Sequence, residues 1–347
     1  MTGTLILTGD VNLMNVTDPA VPFARVQNDC NEATVLFGNL ECCLYDPPGG
    51  HSFHNEGFFA APGPAGAALR RAGFAAVGVA NNVNYGDAAI LASLGQLDAL
   101  GIAHTGAGAD RATARAPAIV NRGGLRFGFL QRSAVYWPTN HAAGPVTPGI
   151  AILRAETAWQ VPVHKTRPEI PPLNRPGLPP VVRTWTDPDA LRELAEDIAG
   201  LRTRADVVVA SLHWGLGKEV LEYMRETAHA AIAAGADVVI GHGPHYSLPV
   251  ELHRGKPIFY GLGSFSFHTG HGGRAHGDWV GMMARITLQD GAVAGAAFRF
   301  VRHNEANETV PCNAEDEGAT LAELAAASAG FGTALRPAEG WVALAPG

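Results

Sequence analysis

Short apolar runs recur along the chain at Leu5–Leu7, Val35–Phe37, Val77–Val79, Val207–Ala210 and Val238–Ile240, each ending in a polar or glycine-containing turn. Continuous runs of this length predict strands buried on both faces. Helical patterns lie between most of them. Ala65–Ala72 and Ala88–Leu100 repeat their apolar residues near the helical period, and Glu219–Ala234 is amphipathic. Asp187 followed by Pro188 reads as an N-cap and a first-turn proline, opening a helix that runs to about Leu201. Two further stretches read as hairpins: Ala118–Asn121 with Leu125–Leu130, and Met282–Leu288 with Ala292–Val301, each pair flanking a glycine-containing turn. Alternating strands and helices with antiparallel edges predict an α/β fold.

The segment Pro162–Pro180 breaks this pattern. Its prolines exclude helix and central strand, leaving an interdomain linker or a long functional loop. Candidate site residues lie on both sides of it, which favours a loop bordering the site. The expected organisation is one domain over residues 1–310, with a proline-rich insertion at about 135–185 and residues 311–347 as a C-terminal tail packed on the domain.

Composition narrows the class. The chain has 347 residues, 47% hydrophobic and 16% charged, which is globular rather than disordered. A formal charge of −7 without a long basic run argues against a nucleic-acid partner, although local arginines can still steer an anionic substrate. Cys30, Cys42, Cys43 and Cys312 form no C-x-x-C pair and read as reduced thiols. The first residues lack a basic leader region, and no apolar stretch reaches membrane-spanning length, so a cytoplasmic protein without a membrane span is expected.

The candidate chemistry sits just past the strand ends. Asp10 follows the first run, Glu41 the second and Asn82 the third; His213 follows the fourth, and His242 and His245 the fifth. Carboxyl ends of strands form the ligand-binding edge of α/β sheets. Taken singly, each residue has an ordinary explanation as a turn, cap or core residue. Five strands delivering carboxylate, amide and imidazole to one edge point instead to one or two divalent ions, and the mixed oxygen and nitrogen donors suit Mn²⁺, Fe²⁺ or Zn²⁺.

Several motifs carry a resemblance. Gly9-Asp10, Asn39-Leu40-Glu41, Asn81-Asn82, Ser211-Leu212-His213-Trp214-Gly215, Gly235 through His245 and Tyr260 through Phe265 resemble the CapA family, named for poly-γ-glutamate capsule synthesis. The resemblance implies the calcineurin-like metallophosphoesterase superfamily, a four-layer α/β/β/α sandwich and a dinuclear metal site. It implies that Glu41 bridges two metals, with Asn82, His213 and His242 on one and Asp10, His245 and Asn12 on the other. Two positions depart from the family pattern. Val83 stands where the family carries a histidine resembling the phosphoesterase general acid, and Ser264 stands where it carries asparagine.

Secondary candidates surround this set. His268, His271 and His276 lie in a glycine-rich stretch, with His268 nearest the strand end and the first choice for an acid/base group. Arg132 is the first choice for substrate contact; Asn12, Asn81 and Trp214 are further substrate-binding candidates. Lys165, Arg167, Arg175 and Arg183 stud the proline-rich region, and His51, His54, His104 and His141 show no metal spacing. The expected function is a metal-dependent hydrolase acting on an amide or ester of a peptide-like or polyglutamate-like substrate, with Asp10, His245 and His268 as catalytic groups. Alternatives are an epimerase working with two protein bases at an α-carbon, a phosphoesterase, and a non-catalytic metal-binding module. The expected partner is a small-molecule or peptide substrate, an anionic one included.

Overall fold

The computed structural model describes residues 2–51, 57–160, 181–270 and 279–347. Within them the chain is mixed α/β, with seven helices and two large sheets. All of Pro162–Pro180, together with His54, Lys165, Arg167, Arg175, His271 and His276, lies outside the described residues.

The ten-stranded sheet is centred on Thr2–Asn12. This strand runs parallel to Val35–Leu40 and antiparallel to Gly281–Gln289. The six-stranded sheet is centred on Val207–His213, parallel to Leu125–Ser133 on one side and to Val238–His242 on the other. Four of the five apolar runs lie within strands, the fifth, Val77–Val79, overruns the end of Phe74–Gly78 by one residue, and both expected hairpins pair antiparallel.

Successive residues of a strand face opposite sides of its sheet, and the apolar clusters follow that alternation. Leu5, Leu7, Val35 and Phe37 of the large sheet share one core with Phe127, Phe129, Val207, Val209, Val238 and Ile240 of the small sheet. Phe37 and Phe129 stack across it with ring centroids 4.5 Å apart. Ile6, Leu36 and Val77 turn the other way, into a core with Leu69 and Leu97 of the helices Pro62–Ala72 and Asp87–Leu100. Leu130, Val208, Ala210 and Val239 likewise meet Leu194, Ile198 and Ala228 of the helices Pro188–Arg202 and Glu222–Ala234. Asp187 caps the former of these by accepting from Ala190 N at 2.8 Å.

Three expectations are corrected. The region 135–185 is not loop throughout: Ala155–Gln160 and Val181–Thr186 pair as an antiparallel ribbon, as their threonine, valine and tryptophan content favours. Residues after 310 do more than pack on the domain, because Trp341–Pro346 pairs with Ala292–His303 inside the large sheet. The helix expected from Glu219 begins at Glu222. No helix among the described residues is long and apolar enough to cross a membrane.

Candidate metal centre

On the small sheet, the face that packs into the shared core ends in polar residues. Val207 and Val209 are followed on that face by Ser211 and His213; Val238 and Ile240 by His242; Phe127 and Phe129 by Gln131 and Ser133. On the large sheet, Val35 and Phe37 are followed by Asn39 and Glu41. Asp10 is out of step with Leu5 and Leu7 by simple alternation. The register of its strand shifts between Thr8 and Asp10 against one neighbour and between Asp10 and Val11 against the other. Such an irregularity re-aims one side chain, here Asp10. Gly9 makes the passage possible, since a Cβ there would stand 1.9 Å from the Gly263 carbonyl oxygen.

These residues converge. Asp10, Glu41 and His245 each bring a ligand atom within 4.8 Å of the others. His242 Nδ1 lies 3.3 Å from Asp10 Oδ1, and His245 Nδ1 3.0 Å from Asp10 Oδ2. His245 Nε2 and His213 Nε2 approach Glu41 Oε1 at 3.7 and 3.8 Å. His245 holds a left-handed backbone at φ 63°, an uncommon conformation for a residue with a side chain, in the turn that follows His242.

A saturated amide fixes the carboxylates. Asn39 Nδ2 donates to Asp10 Oδ1 at 2.9 Å and to Glu41 Oε2 at 3.1 Å. Its Oδ1 accepts from Asn81 Nδ2 at 3.1 Å and Gln131 Nε2 at 3.0 Å. Gln131 reaches across because Gly78 has no side chain; a Cβ there would sit 2.4 Å from the Gln131 amide. Ser133 orients His213: its hydroxyl donates to the Val135 carbonyl at 2.6 Å and lies 3.2 Å from His213 Nδ1. That leaves Nδ1 carrying the proton and Nε2 facing Glu41.

Electrostatics make this cluster costly without a cation. Burial pushes the Asp10 carboxyl up, but the His242 and His245 imidazoles beside it outweigh burial and hold Asp10 well below the usual carboxylate range. Burial and the adjacent Asp10 charge push Glu41 well above it. Burial holds the His213 imidazole down at about 3, neutral as a ligand must be. Cys42, beside Glu41, packs into the helix-side core, where burial pushes its thiol up to about 12. Buried polar atoms normally have partners. Here Asp10 Oδ2, His213 Nε2 and both ring nitrogens of His242 are buried without a hydrogen bond. These are the atoms a metal ion would engage, so the donor set fits one.

Other candidates fall elsewhere. Arg132 shares the helix-facing side of its strand with Leu130; it is 1% exposed and ion-paired to Asp197. Trp214 is likewise core, its Nε1 donating to the Tyr260 carbonyl at 2.8 Å. Asn81 spends its amide on Asn39, Leu40, Val83 and Asn84. Asn12 bonds Thr269 O and Met14 N. All four of these side chains are buried. Val83 is 2% exposed within the core. His268 packs edge-on against His303 at 5.5 Å, and its Nδ1 is buried without a hydrogen bond. Asn82 is half-buried, its carbonyl accepting from Trp137 Nε1 at 3.0 Å.

Sequence reasoning passed over Gln131 and Ser133, two polar residues on the inward face of an otherwise apolar strand. It also passed over Trp137, which is 41% exposed beside Asn82 and packs against Tyr85. A cavity of about 480 Å³ opens at Tyr85, Asp87, Asn140 and Thr147. A larger cavity of about 550 Å³, lined by Arg111, Arg115, Arg154 and Arg192, contains no residue of the cluster.

Residues 3–269 match the family described as bacterial capsule synthesis protein PGA_cap, and the chain belongs to it. The uncharacterized protein y4sH of Sinorhizobium fredii is 26% identical over 76% of this chain and 66% of its own length. A probable polyglutamine synthesis accessory protein of Mycobacterium tuberculosis is 31% identical over 53% of this chain and 43% of its own. The PGA biosynthesis protein CapA of Bacillus subtilis is 36% identical over 28% of this chain and 24% of its own. The chain thus spans just under two thirds of the first relative's length and less of the others.

Proposed function

We propose that this chain is a divalent-metal-dependent hydrolase acting on an amide or ester of a peptide-like, glutamate-rich substrate. The observation that carries the reading is the convergence of Asp10, Glu41, His213, His242 and His245, with four of their buried atoms unbonded. The helix, sheet, sheet, helix order of the three cores supports a four-layer sandwich of the metallophosphoesterase kind. The relatives' names support the substrate class by analogy alone.

A bound ion would polarise the scissile carbonyl and lower the pKa of attacking water. Asp10, Glu41, His213 and His242 would hold it, with Asn82 at the rim. Asn39 keeps both carboxylates aimed. The His245 side chain is 27% exposed, against 1% and 0% for His213 and His242, so the cluster opens toward solvent at His245. That exposure supports giving the proton-carrying role to His245. The Tyr85 and Trp137 rings would form an apolar wall for the substrate chain.

One observation favours a second reading. The family's histidine position is a core valine, so leaving-group protonation has no donor there. An epimerase, which moves a proton at an α-carbon without expelling a leaving group, does not require that donor.

The test has two arms. Purified protein should carry divalent transition metal, and His213→Ala combined with His242→Ala should lose most of it by elemental analysis. Unchanged content in that double variant ends the metal reading. Incubation with glutamyl peptides in D₂O then separates the reactions: new amine or carboxyl groups mark hydrolysis, and deuterium at an α-carbon of intact peptide marks epimerisation. Metal-loaded protein doing neither would leave hydrolysis and epimerisation of such peptides unsupported together.

A further inference from the structure

We propose that His229, Glu251 and His253 form a second divalent-cation site, suited to Zn²⁺ or Co²⁺, at the end of the small sheet opposite the Asp10 cluster. Glu251 and His253 are two apart on the edge strand Val250–His253, so they share one face. His229 comes from the helix Glu222–Ala234. The three residues each bring one ligand atom within 4.8 Å of the others.

The contacts are near what coordination needs. His229 Nε2 lies 2.9 Å and His253 Nδ1 3.6 Å from the same atom, Glu251 Oε1. Ligands on one tetrahedral ion, at bonds of about 2.0–2.2 Å, stand roughly 3.3–3.5 Å apart. The imidazoles stack at 3.7 Å with planes 11° apart, which brings two ring nitrogens to one side of the carboxylate. In-plane lone pairs of stacked rings run nearly parallel, so both rings must swing out of this stack for their nitrogens to meet on a common ion. Two imidazoles with one carboxylate make a borderline donor set that favours Zn²⁺ over Mg²⁺ or Ca²⁺.

The carboxylate is already aimed. Tyr260 Oη donates to Glu251 Oε2 at 2.6 Å, and Arg225 Nε stands 3.9 Å from that oxygen. This engages Oε2 and leaves Oε1 to the histidines, as outer partners do for metal-bound carboxylates. Glu251 is 5% exposed at its side chain, whereas His229 and His253 are 27% and 23% exposed, giving an ion a path in and a place for water as further ligand.

Register separates this site from the first. Glu251 pairs with Ile258, and Ile258 with Val239, three residues before His242, or about 10 Å along the strand. His253 pairs with Lys256, further still from the ligand edge. An ion here would tie the helix behind the His242 strand to the outermost strand of the small sheet.

Titration of full-length protein with Co²⁺, followed by visible absorption and equilibrium dialysis, tests this. Wild type should take up one equivalent more than His253→Ala or His229→Ala, and Zn²⁺ should raise its Tm more than theirs. The double variant His213→Ala with His242→Ala should keep this equivalent, which makes failure here distinguishable from failure of the first site. Glu251→Gln, which keeps side-chain volume, should weaken the extra equivalent at least about tenfold. Equal uptake and equal affinity in wild type and His253→Ala overturn the proposal. His253 is partly exposed, and circular dichroism confirms that the variant is folded.

Discussion

Gln131 and Arg132 are neighbours with opposite surroundings, and strand parity explains both. Gln131 shares a face with Phe127 and Phe129 and reaches Asn39 beneath the metal edge; Arg132 turns to the helices and pairs with Asp197. The two should fail differently. Arg132→Ala should cost about 2 kcal/mol of stability by denaturant titration, because it empties a buried arginine site while Asp197 keeps Arg115 as its partner, and leave metal affinity unchanged. Ser133→Ala should leave stability within about 1 kcal/mol. It should also weaken metal binding about 10- to 100-fold by competition with a chelator, since His213 loses the group that sets its tautomer. If Arg132→Ala weakens metal binding and Ser133→Ala does not, the assignment of faces is wrong. Much of this was legible in the sequence. Counting by twos from the apolar residues of the His213 and His242 strands puts both histidines on the inward face. Counting also turns Arg132 and Trp214, chosen for their places near strand ends, toward the helix side of the sheet. Asp10 was found by position after the first strand rather than by parity, because a register shift in its own strand carries it to the inward face. That shift depends on contact with Gly263, some 250 residues away, which no local pattern encodes.

At the scale of elements, the fold's regular pieces were readable and its loops were not. Buried strands announce themselves by apolar runs, whereas loop conformation depends on hydrogen bonds between distant segments. His141 is the example: it shows no metal spacing in the sequence, yet it joins two loops at the site's rim. Its Nδ1 accepts from Trp137 N at 3.0 Å, which leaves Nε2–H to donate to the Asn84 carbonyl at 2.9 Å. Burial depresses this imidazole from 6.5 to about 4. The folded protein thus keeps His141 neutral where the unfolded chain protonates it. The stabilisation is complete above pH 6.5 and is lost as pH falls toward 4, in total on the order of 3 kcal/mol. His141→Gln supplies an acceptor and a donor without titrating. In metal-free protein, the stability of wild type should therefore fall more steeply than that of the variant between pH 6.5 and 4, by about that amount. Parallel pH profiles would show that His141 is not held neutral by the fold.

At the scale of the molecule, the C-terminal residues close the structure. The two strands Thr333–Ala338 and Trp341–Pro346 extend the large sheet beyond Ala292–His303. The same segment reaches the small sheet: Ser328 Oγ accepts from Val250 N at 3.0 Å and Thr333 Oγ1 from Leu252 N at 2.8 Å. These hydroxyls occupy backbone donors of an edge strand that would otherwise be open to pairing with another chain. Trp341 is 6% exposed, with the Arg285 guanidinium 4.1 Å and that of Arg299 5.4 Å from its ring. Reading residues 311–347 as a packed tail missed this because β pairing to a strand already in a sheet leaves no periodic signature of its own. The arrangement predicts graded losses. Trp341→Ala should destabilise by about 3–5 kcal/mol, the usual cost of emptying a tryptophan site. Removing residues 333–347 should do more: it bares one edge of Ala292–His303, uncovers Phe298 and frees Leu252 N, so the shortened chain should self-associate in size-exclusion chromatography. The metal edge lies on the far side of Gly281–Gln289, separated from the lost strands by two intact ones. Soluble shortened protein should therefore keep its metal while melting earlier. A shortened chain that stays monomeric with unchanged Tm would mean that these strands are a covering and that the sheet ends at Ala292–His303.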